Sequence, residues 1–203
     1  MLQRDLAALA LPGLLIGHRL IGPDDENALC PEEAASLTSR IPEARRASGA
    51  ARIVARELLA RLGFPDALVP KGAGGEPIWP AGVVGSLAHD DQVAVAALGL
   101  ERDFASIGVD VEPALELSAE MLEMVATPDE LHPVDRDPLK GRALFSAKEA
   151  VYKAAYRLDQ TFLEFQDIEV DLAAGRATTR TGHTVSLRYC ISSHIVALAL
   201  LQA

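Results

Sequence analysis

The sequence predicts an α+β fold with two related halves around a central cleft. Its 203 residues allow one large domain or two small ones, and 49% apolar residues is typical of a globular protein. The residue pattern gives a helix, a loop and strands, then a second helix and more strands. The segment SLAHDDQVAVAAL near residue 90 is loosely echoed by ISSHIVALAL near residue 195. Both long helices carry basic residues, which also favours two similar halves.

In the first half, residues 1–36 are predicted to be rich in loops, because GPDDENALCPEE is a cluster of turn-forming residues. A helix is predicted over residues 42–62, because its apolar residues recur at helical spacing and Gly63 follows. Residues 83–98 predict two strands joined by a turn at 89–91.

In the second half, SIGVDVE predicts a strand over residues 106–112. Ser118 is a suitable N-cap for a short helix over 119–126, and the Pro- and Asp-rich residues 127–140 predict a loop. The most regular helix is expected over residues 139–158. Three further strands of β-branched or alternating character are expected at 167–172, 184–189 and 194–201.

The charge and composition exclude several classes of protein. A net charge of −10 argues against a protein that coats DNA or an anionic membrane. No stretch reaches 18 uncharged apolar residues, which argues against a transmembrane helix. The apolar run near the N-terminus follows Asp5 and lacks a small-residue cleavage site, which argues against a signal peptide. Cys30 and Cys190 are too few for a disulfide framework or a zinc site. We therefore expect a cytoplasmic protein without a nucleic-acid or membrane partner.

The charge is unevenly distributed along the chain. Residues 40–61 carry six arginines against two glutamates, a local charge of +4, and residues 101–140 carry eleven acidic against three basic residues, a local charge of −8. The first segment is suited to phosphates and the second to a hard cation. The alternative is that both are solvated faces of the protein.

Asp110 and Glu112 lie two residues apart on a predicted strand, so both side chains point to one face while Val109 and Val111 point to the other. Two carboxylates on one face repel each other unless a positive charge lies between them. Mg²⁺ suits such a pair, because it prefers oxygen ligands and often takes one or two carboxylates together with substrate phosphates. The alternative is an acidic strand edge that faces solvent.

The predicted helix 139–158 contains Lys148, Glu149 and Lys153. Glu149 and Lys153 are four residues apart and share a helix face, a spacing that by itself is typical of a common surface Glu–Lys pair. The chain has only four lysines against fifteen arginines, and two of the four lie here, which favours a need for a point charge. His89 follows the strand VVGSL, where a lone histidine is more often a structural residue than part of a site.

Together these motifs resemble those of the 4′-phosphopantetheinyl transferases. GVDVEP at 108–113 is followed by FSAKEAVYK at 145–153, which is similar to the paired signature of that family. GGEPIWPAGVVGSLAH at 74–89 and the arginine-rich helix at 45–63 resemble the segments that precede it. The length, the Trp-Pro element and the S-x-x-H element resemble the two-lobed, single-chain type that includes enterobactin synthase.

This resemblance implies transfer of the phosphopantetheine arm of coenzyme A to a serine of an apo acyl or peptidyl carrier protein, which releases adenosine 3′,5′-bisphosphate. A role in siderophore, nonribosomal peptide or polyketide synthesis is also implied. By likeness, Asp110, Glu112 and Glu149 would bind Mg²⁺. Glu149 would be the general base, and Lys153 would neutralise charge on the leaving phosphate.

The resemblance also implies a monomer of two subdomains related by pseudo-two-fold symmetry. The N-terminal lobe would span 1–104, the C-terminal lobe 105–203, and the active site would lie in the cleft between them. The expected contacts with coenzyme A are Arg45, Arg52, Ser86, His89, Lys148 and Lys153. Carrier proteins are usually acidic and so is this chain, so we expect the carrier to dock on an apolar groove in segment 115–142. The apolar candidates for this contact are Leu117, Met121, Leu122, Met124 and Val125, and the alternative is that they pack into the core. A non-catalytic carrier-binding or nucleotide-binding protein and a generic Mg²⁺-dependent phosphohydrolase are the alternatives.

Overall fold

The computed structural model describes residues 2–134 and 137–203. Within these residues helices and strands are interspersed, which confirms the α+β class. The helices are α1 (Leu2–Leu6), α2 (Pro31–Ser36), α3 (Pro42–Arg61), α4 (Ala119–Val125), α5 (Pro128–Val134) and α6 (Pro138–Asp159). The strands are β1 (Leu15–Leu20), β2 (Val83–His89), β3 (Val93–Leu100), β4 (Phe104–Pro113), β5 (Ile168–Asp171), β6 (Arg176–Thr179), β7 (Thr184–Ile191) and β8 (His194–Gln202).

The strands form two antiparallel sheets that pack face to face. The first has the strand order β1-β3-β2, and the second has the order β4-β8-β7-β6-β5. Val84 and Val95 of the first sheet share one apolar core with residues of the second sheet, which are Val109, Val111 and Leu198. The two sheets are therefore the inner layers of the molecule.

The two long helices cover the outer faces of the sheets. Val54 and Leu58 of α3 pack on Ala96 and Leu98 of the first sheet. Helix α6 packs in the same way on the second sheet, with Leu144, Ala147, Val151, Val185, Ala197 and Ala199 in one cluster. Strands β3, β4 and β8 are buried on both faces as a result, which explains their nearly continuous apolar character.

The helices predicted over 42–62 and 139–158 are confirmed to within a residue or two by α3 and α6, and the strands predicted over 83–98 and 106–112 are confirmed by β2, β3 and β4. Gly63 has φ of 94° directly after α3, a left-handed conformation that glycine adopts without steric cost.

The prediction that residues 1–36 are rich in loops misses α1, β1 and α2, which all lie there. Strand β1 pairs with β3, with Leu15 opposite Leu98. Gly17 weakens the strand pattern, but a Cβ at this position would lie 3.1 Å from Cγ1 of Val54. Close packing of α3 on β1 therefore favours glycine where strand propensity does not.

The loop predicted over 127–140 is also wrong, because α5 begins at Pro128 and α6 at Pro138. Proline is compatible with the first turn of a helix, where its missing N–H has no partner to lose. The four-residue strand β6, which alternates exposed and buried residues, is an element that the sequence patterns do not predict.

Candidate active site

The site is built where β4 packs closely on α6. The even-numbered residues of β4 face the helix, and Ser106 Oγ donates a hydrogen bond of 2.6 Å to the carbonyl oxygen of Ala154. Two residues on, a Cβ at Gly108 would lie 2.9 Å from the nitrogen of Ala154 and 3.0 Å from the carbonyl carbon of Ala150, and closer still to the Ala150 oxygen. Glycine at 108 therefore lets the strand approach the helix closely enough for their polar side chains to meet.

Asp110 and Lys153 form an ion pair across this contact. Lys153 Nζ donates to Asp110 Oδ1 at 2.7 Å and to the carbonyl oxygen of Val109 at 3.1 Å. Asp110 is 7% exposed, and its second oxygen, Oδ2, is buried without a hydrogen-bond partner. A buried carboxylate oxygen left unpartnered is costly, so this atom is well suited to a ligand of positive charge.

Glu149 lies one helical turn before Lys153 and close to Asp110. Burial raises the pKa of Glu149, the ammonium of Lys153 opposes the rise, and the charge of Asp110 adds to it. A raised pKa makes this carboxylate a better proton acceptor than an ordinary glutamate.

Glu112, at the end of β4, is held by Arg142, a residue that the sequence motifs do not single out. Arg142 Nη1 donates to Glu112 Oε2 at 3.0 Å, and the same guanidinium donates to the carbonyl oxygens of Leu115 and Glu116 at 3.3 Å each. Burial raises the pKa of Glu112, and Asp110 contributes to the rise. The sequence feature that could have identified Arg142 is its spacing of seven residues from Glu149, which places both residues on one side of α6.

His89, at the end of β2, keeps an exposed part of its surface but is surrounded closely enough by protein atoms to be partly desolvated, and it lies near the same pair. Desolvation lowers the pKa of His89, as does the positive charge of Lys153, while Asp90 and Asp110 act in the opposite direction. Asp90 is a further residue that the motifs do not single out. Its Oδ2 lies 3.1 Å from Nε2 of His194, and this pair connects the turn after β2 to the first residue of β8.

Arg45 and Arg52, the two arginines of α3 that were expected to contact coenzyme A, have contacts within their own part of the fold. Arg52 is 5% exposed, and its Nε and Nη1 donate to the carbonyl oxygens of Val69 and Ser48 at 2.8 and 3.1 Å. Arg45 Nη1 donates to the carbonyl oxygen of Ser39 at 3.5 Å. Both side chains are thus engaged by the backbone.

The structure does not bring Lys148 together with the other residues. Its side chain is fully buried, and its Nζ lies 2.7 Å from Oε2 of Glu130. Successive residues of a helix point about 100° apart, so Glu149 and Lys148 face different surroundings. A phosphate contact from Lys148 has no support in this geometry.

A cavity of about 470 Å³ opens between the loop 74–79 and β2 on one side and α6 on the other. This volume lies within the range usual for small-molecule sites. Ser86 and Lys153 line the cavity, together with Trp79, Tyr152, Tyr156 and Arg157. Basic groups beside aromatic rings suit a ligand that has both an anionic and an apolar part.

The carboxylate groups of the site meet some of the requirements of a magnesium site. Among residues 2–134 and 137–203, no group of three or more His, Cys, Asp or Glu side chains stands in an arrangement that could hold a metal ion. Burial is the main cause of the raised pKa of Glu112 and of Glu149, and the negative charge of Asp110 raises both further. In addition, Asp110 Oδ2 has no hydrogen-bond partner. Carboxylates that repel one another in this way are stabilised by a cation, and Mg²⁺ needs only one or two of them when a substrate supplies phosphate oxygens.

Comparison with known proteins identifies the class of enzyme to which the chain belongs. Residues 32–99 match the model of the 4′-phosphopantetheinyl transferase N-terminal domain, and residues 106–199 match that of the 4′-phosphopantetheinyl transferase superfamily. The chain belongs to the 4′-phosphopantetheinyl transferase superfamily.

Three curated proteins illustrate the similarity. The chain is 40% identical to the 4′-phosphopantetheinyl transferase Svp of Streptomyces mobaraensis, over 78% of this chain and 68% of the relative. It is 38% identical to the 4′-phosphopantetheinyl transferase Npt of Nocardia iowensis, over 79% of this chain and 74% of the relative. It is 32% identical to enterobactin synthase component D of Salmonella typhi, over 52% of this chain and 45% of the relative. The resemblance identified from the sequence motifs is thereby confirmed.

No helix in the described part of the chain is both long and apolar enough to cross a bilayer.

Proposed function

We propose that this chain transfers the 4′-phosphopantetheine arm of coenzyme A to a serine of an apo acyl or peptidyl carrier protein. The serine oxygen forms a bond to the phosphorus that carries the pantetheine arm, the pyrophosphate P–O bond breaks, and adenosine 3′,5′-bisphosphate leaves. The observation that carries the proposal is the contact of Asp110 with Lys153 beside Glu149, at the edge of a cavity of suitable size.

Glu149 is the proposed general base. Burial and the nearby Asp110 raise its pKa, which favours acceptance of the serine proton. Lys153 is the proposed electrostatic partner of the leaving phosphate, since this residue lines the cavity and its ammonium is held at 2.7 Å from Asp110.

Asp110, Glu112 and Glu149 are the proposed ligands of Mg²⁺. When bound, Mg²⁺ would offset the negative charge of the pyrophosphate and help to orient it. The mutual repulsion of the carboxylates and the unpartnered Asp110 Oδ2 support this assignment.

Coenzyme A is the proposed occupant of the cavity. Ser86 and Lys153 line it, and His89 lies near Lys153, so these three residues are the best supported contacts. Arg45 remains a proposed contact of the phosphates because of its place on the basic helix α3. Arg52 and Lys148 are left out, because each is buried and bound by other partners.

The two-lobed organisation is also part of the proposal, with lobes of residues 1–104 and 105–203, related by a pseudo-two-fold axis, and the active site between them. The two family matches, to residues 32–99 and 106–199, support a boundary between them. The pairing of one long helix with each sheet supports two halves of similar structure.

The carrier protein is proposed to dock on segment 115–142, of which residues 135 and 136 lie outside the described residues. Leu115 and Met124 are 63% and 60% exposed there, which supports an apolar contact, whereas the candidates Leu117 and Val125 are buried in the core. The net charge of −10 supports the absence of a nucleic-acid partner. A cytoplasmic monomer that serves siderophore, nonribosomal peptide or polyketide synthesis completes the proposal.

The test is to mix the protein with coenzyme A, Mg²⁺ and an apo carrier domain, and to measure the mass of the carrier. We expect a gain of one phosphopantetheine arm with the wild type and none with Glu149→Gln. Glu57→Gln, an exposed glutamate on α3, is the matched control and should transfer normally. A wild type that binds both partners without changing the carrier's mass would be a non-catalytic binding protein, and a Glu149→Gln variant with normal activity would remove that residue from the role of base.

A further inference from the structure

The buried ammonium of Lys148 is bound by three oxygen atoms from three different parts of the fold. Its ammonium donates to the carbonyl oxygens of Val125 and Phe165 at 2.8 and 2.9 Å, and it lies 2.7 Å from Oε2 of Glu130. A lysine has three N–H donors, so these three acceptors satisfy the buried charge. The contacts connect α6 to the last residue of α4, to α5 and to the short turn before β5.

Glu130 extends this network. Its Oε2 accepts a hydrogen bond of 2.7 Å from the backbone N–H of Thr127, at the start of α5, and its Oε1 accepts one of 2.6 Å from the N–H of Val170 in β5. The carboxylate therefore holds the first turn of α5 to the edge of the second sheet, while Lys148 holds it to the long helix.

The N-terminal half contains a network of the same design. Glu33 is fully buried, accepts hydrogen bonds from the N–H groups of Cys30 and Val69 at 3.1 and 3.0 Å, and forms an ion pair with Arg56 of α3. Arg56 also donates to the carbonyl oxygen of Ala28 at 2.8 Å.

The two networks follow one sequence pattern. Residues 28–34 read ALCPEEA and residues 125–131 read VATPDEL, so the carbonyl, the N-cap, the proline and the buried glutamate occupy matching positions. In each half a basic residue of the long helix completes the network. Lys148 thus corresponds to Arg56, a residue with a structural contact in the other half, rather than to a phosphate ligand.

We propose that Lys148 and Glu130 are positioning residues, which hold α4 and α5 against α6 and so set the surface on which the carrier protein docks. This inference rests on the proposed function. Lys148 fixes the end of α4 next to the exposed Met124, and Gln166 Nε2 donates to the Met124 carbonyl oxygen at 3.1 Å. Because Lys148 precedes Glu149 in α6, the same turn of helix carries the general base and holds the docking surface.

The experiment compares Lys148→Met with Arg56→Met, its counterpart in the other half. Both substitutions remove a buried ion pair, so we expect both to lower the melting temperature. Lys148→Met should raise KM for the apo carrier by about tenfold while the affinity for coenzyme A, measured by calorimetry, is unchanged. Arg56→Met should leave KM for the carrier unchanged.

Three results would overturn the inference. Weaker binding of coenzyme A by Lys148→Met with an unchanged KM for the carrier would make Lys148 a phosphate ligand. An equal rise of KM for the carrier in both variants would indicate general loosening of the fold, and no rise in either would remove the positioning role. If Lys148→Met does not fold, Glu130→Gln, which keeps the shape of the side chain, should show the same selective rise. A wild type without transferase activity would instead refute the proposed function.

Discussion

Replacing Gly108 with alanine is expected to push β4 away from α6 and to impair both catalysis and stability. A Cβ there would lie 3.0 Å from the carbonyl carbon of Ala150, whereas carbon atoms in contact are about 3.5–4.0 Å apart. The backbones must therefore separate by at least about 0.5–1 Å. The atoms that the new Cβ would meet belong to the backbone of Ala150 and Ala154, so no side chain can rotate to make room.

The displacement acts directly on the Asp110–Lys153 contact. A separation of that size would stretch the distance from Lys153 Nζ to Asp110 Oδ1, now 2.7 Å, to about 3.2–3.7 Å, at or beyond the limit of a hydrogen bond. Overpacking of this kind costs about 1–3 kcal/mol of stability. Misplacement of catalytic groups by about 1 Å can cost about 100-fold in rate, so we expect a loss of that order in kcat/KM.

The assay is transfer to an apo carrier, followed by mass, together with thermal unfolding. Gly63→Ala is the matched control, because Gly63 has φ of 94° with nothing within 4 Å of its Cβ position, so only backbone strain of about 1–2 kcal/mol arises. Gly63→Ala should lose stability but keep its activity. Equal activity in the two variants, at similar losses of stability, would refute the argument that close approach of β4 and α6 builds the site.

The remaining predictions concern individual side chains. Asp110→Asn should weaken binding of Mg²⁺ in the presence of coenzyme A, measured by calorimetry, far more than binding of the carrier; a loss of carrier binding alone would contradict the metal assignment. His89→Ala should weaken binding of coenzyme A about tenfold or more and leave binding of dephospho-coenzyme A nearly unaffected, because a charge-assisted contact to the 3′-phosphate contributes about 1.5–3 kcal/mol. Equal weakening of both ligands would show that His89 does not contact that phosphate. The pKa of Asp159 is lowered to about 2, first by the backbone N–H of Thr161, so its contribution to stability is present above the ordinary value of 3.8 and is lost as the pH falls toward 2. Asp159→Asn should therefore flatten the decline of the free energy of unfolding in that interval, and an unchanged acid profile would contradict this.

Local periodicity was sufficient to place the proposed catalytic residues. Alternation along β4 put Asp110 on the face opposite Val109 and Val111, and the spacing of four residues put Glu149 and Lys153 on one side of α6. These relations depend only on the geometry of a strand and a helix. The family resemblance then linked segments far apart in the chain.

Other features depended on which elements meet in space. The sequence by itself determined the α+β class, the two long helices and the motif residues, because strand and helix periods act over a few residues. The tertiary structure alone decided that Lys148 is buried against Glu130 rather than exposed beside Glu149, and that Arg142 binds Glu112. It also decided that β1 pairs with β3 despite Gly17. The physical reason is that burial and hydrogen bonding depend on partners brought together by long-range packing, and spacing along the chain does not specify them.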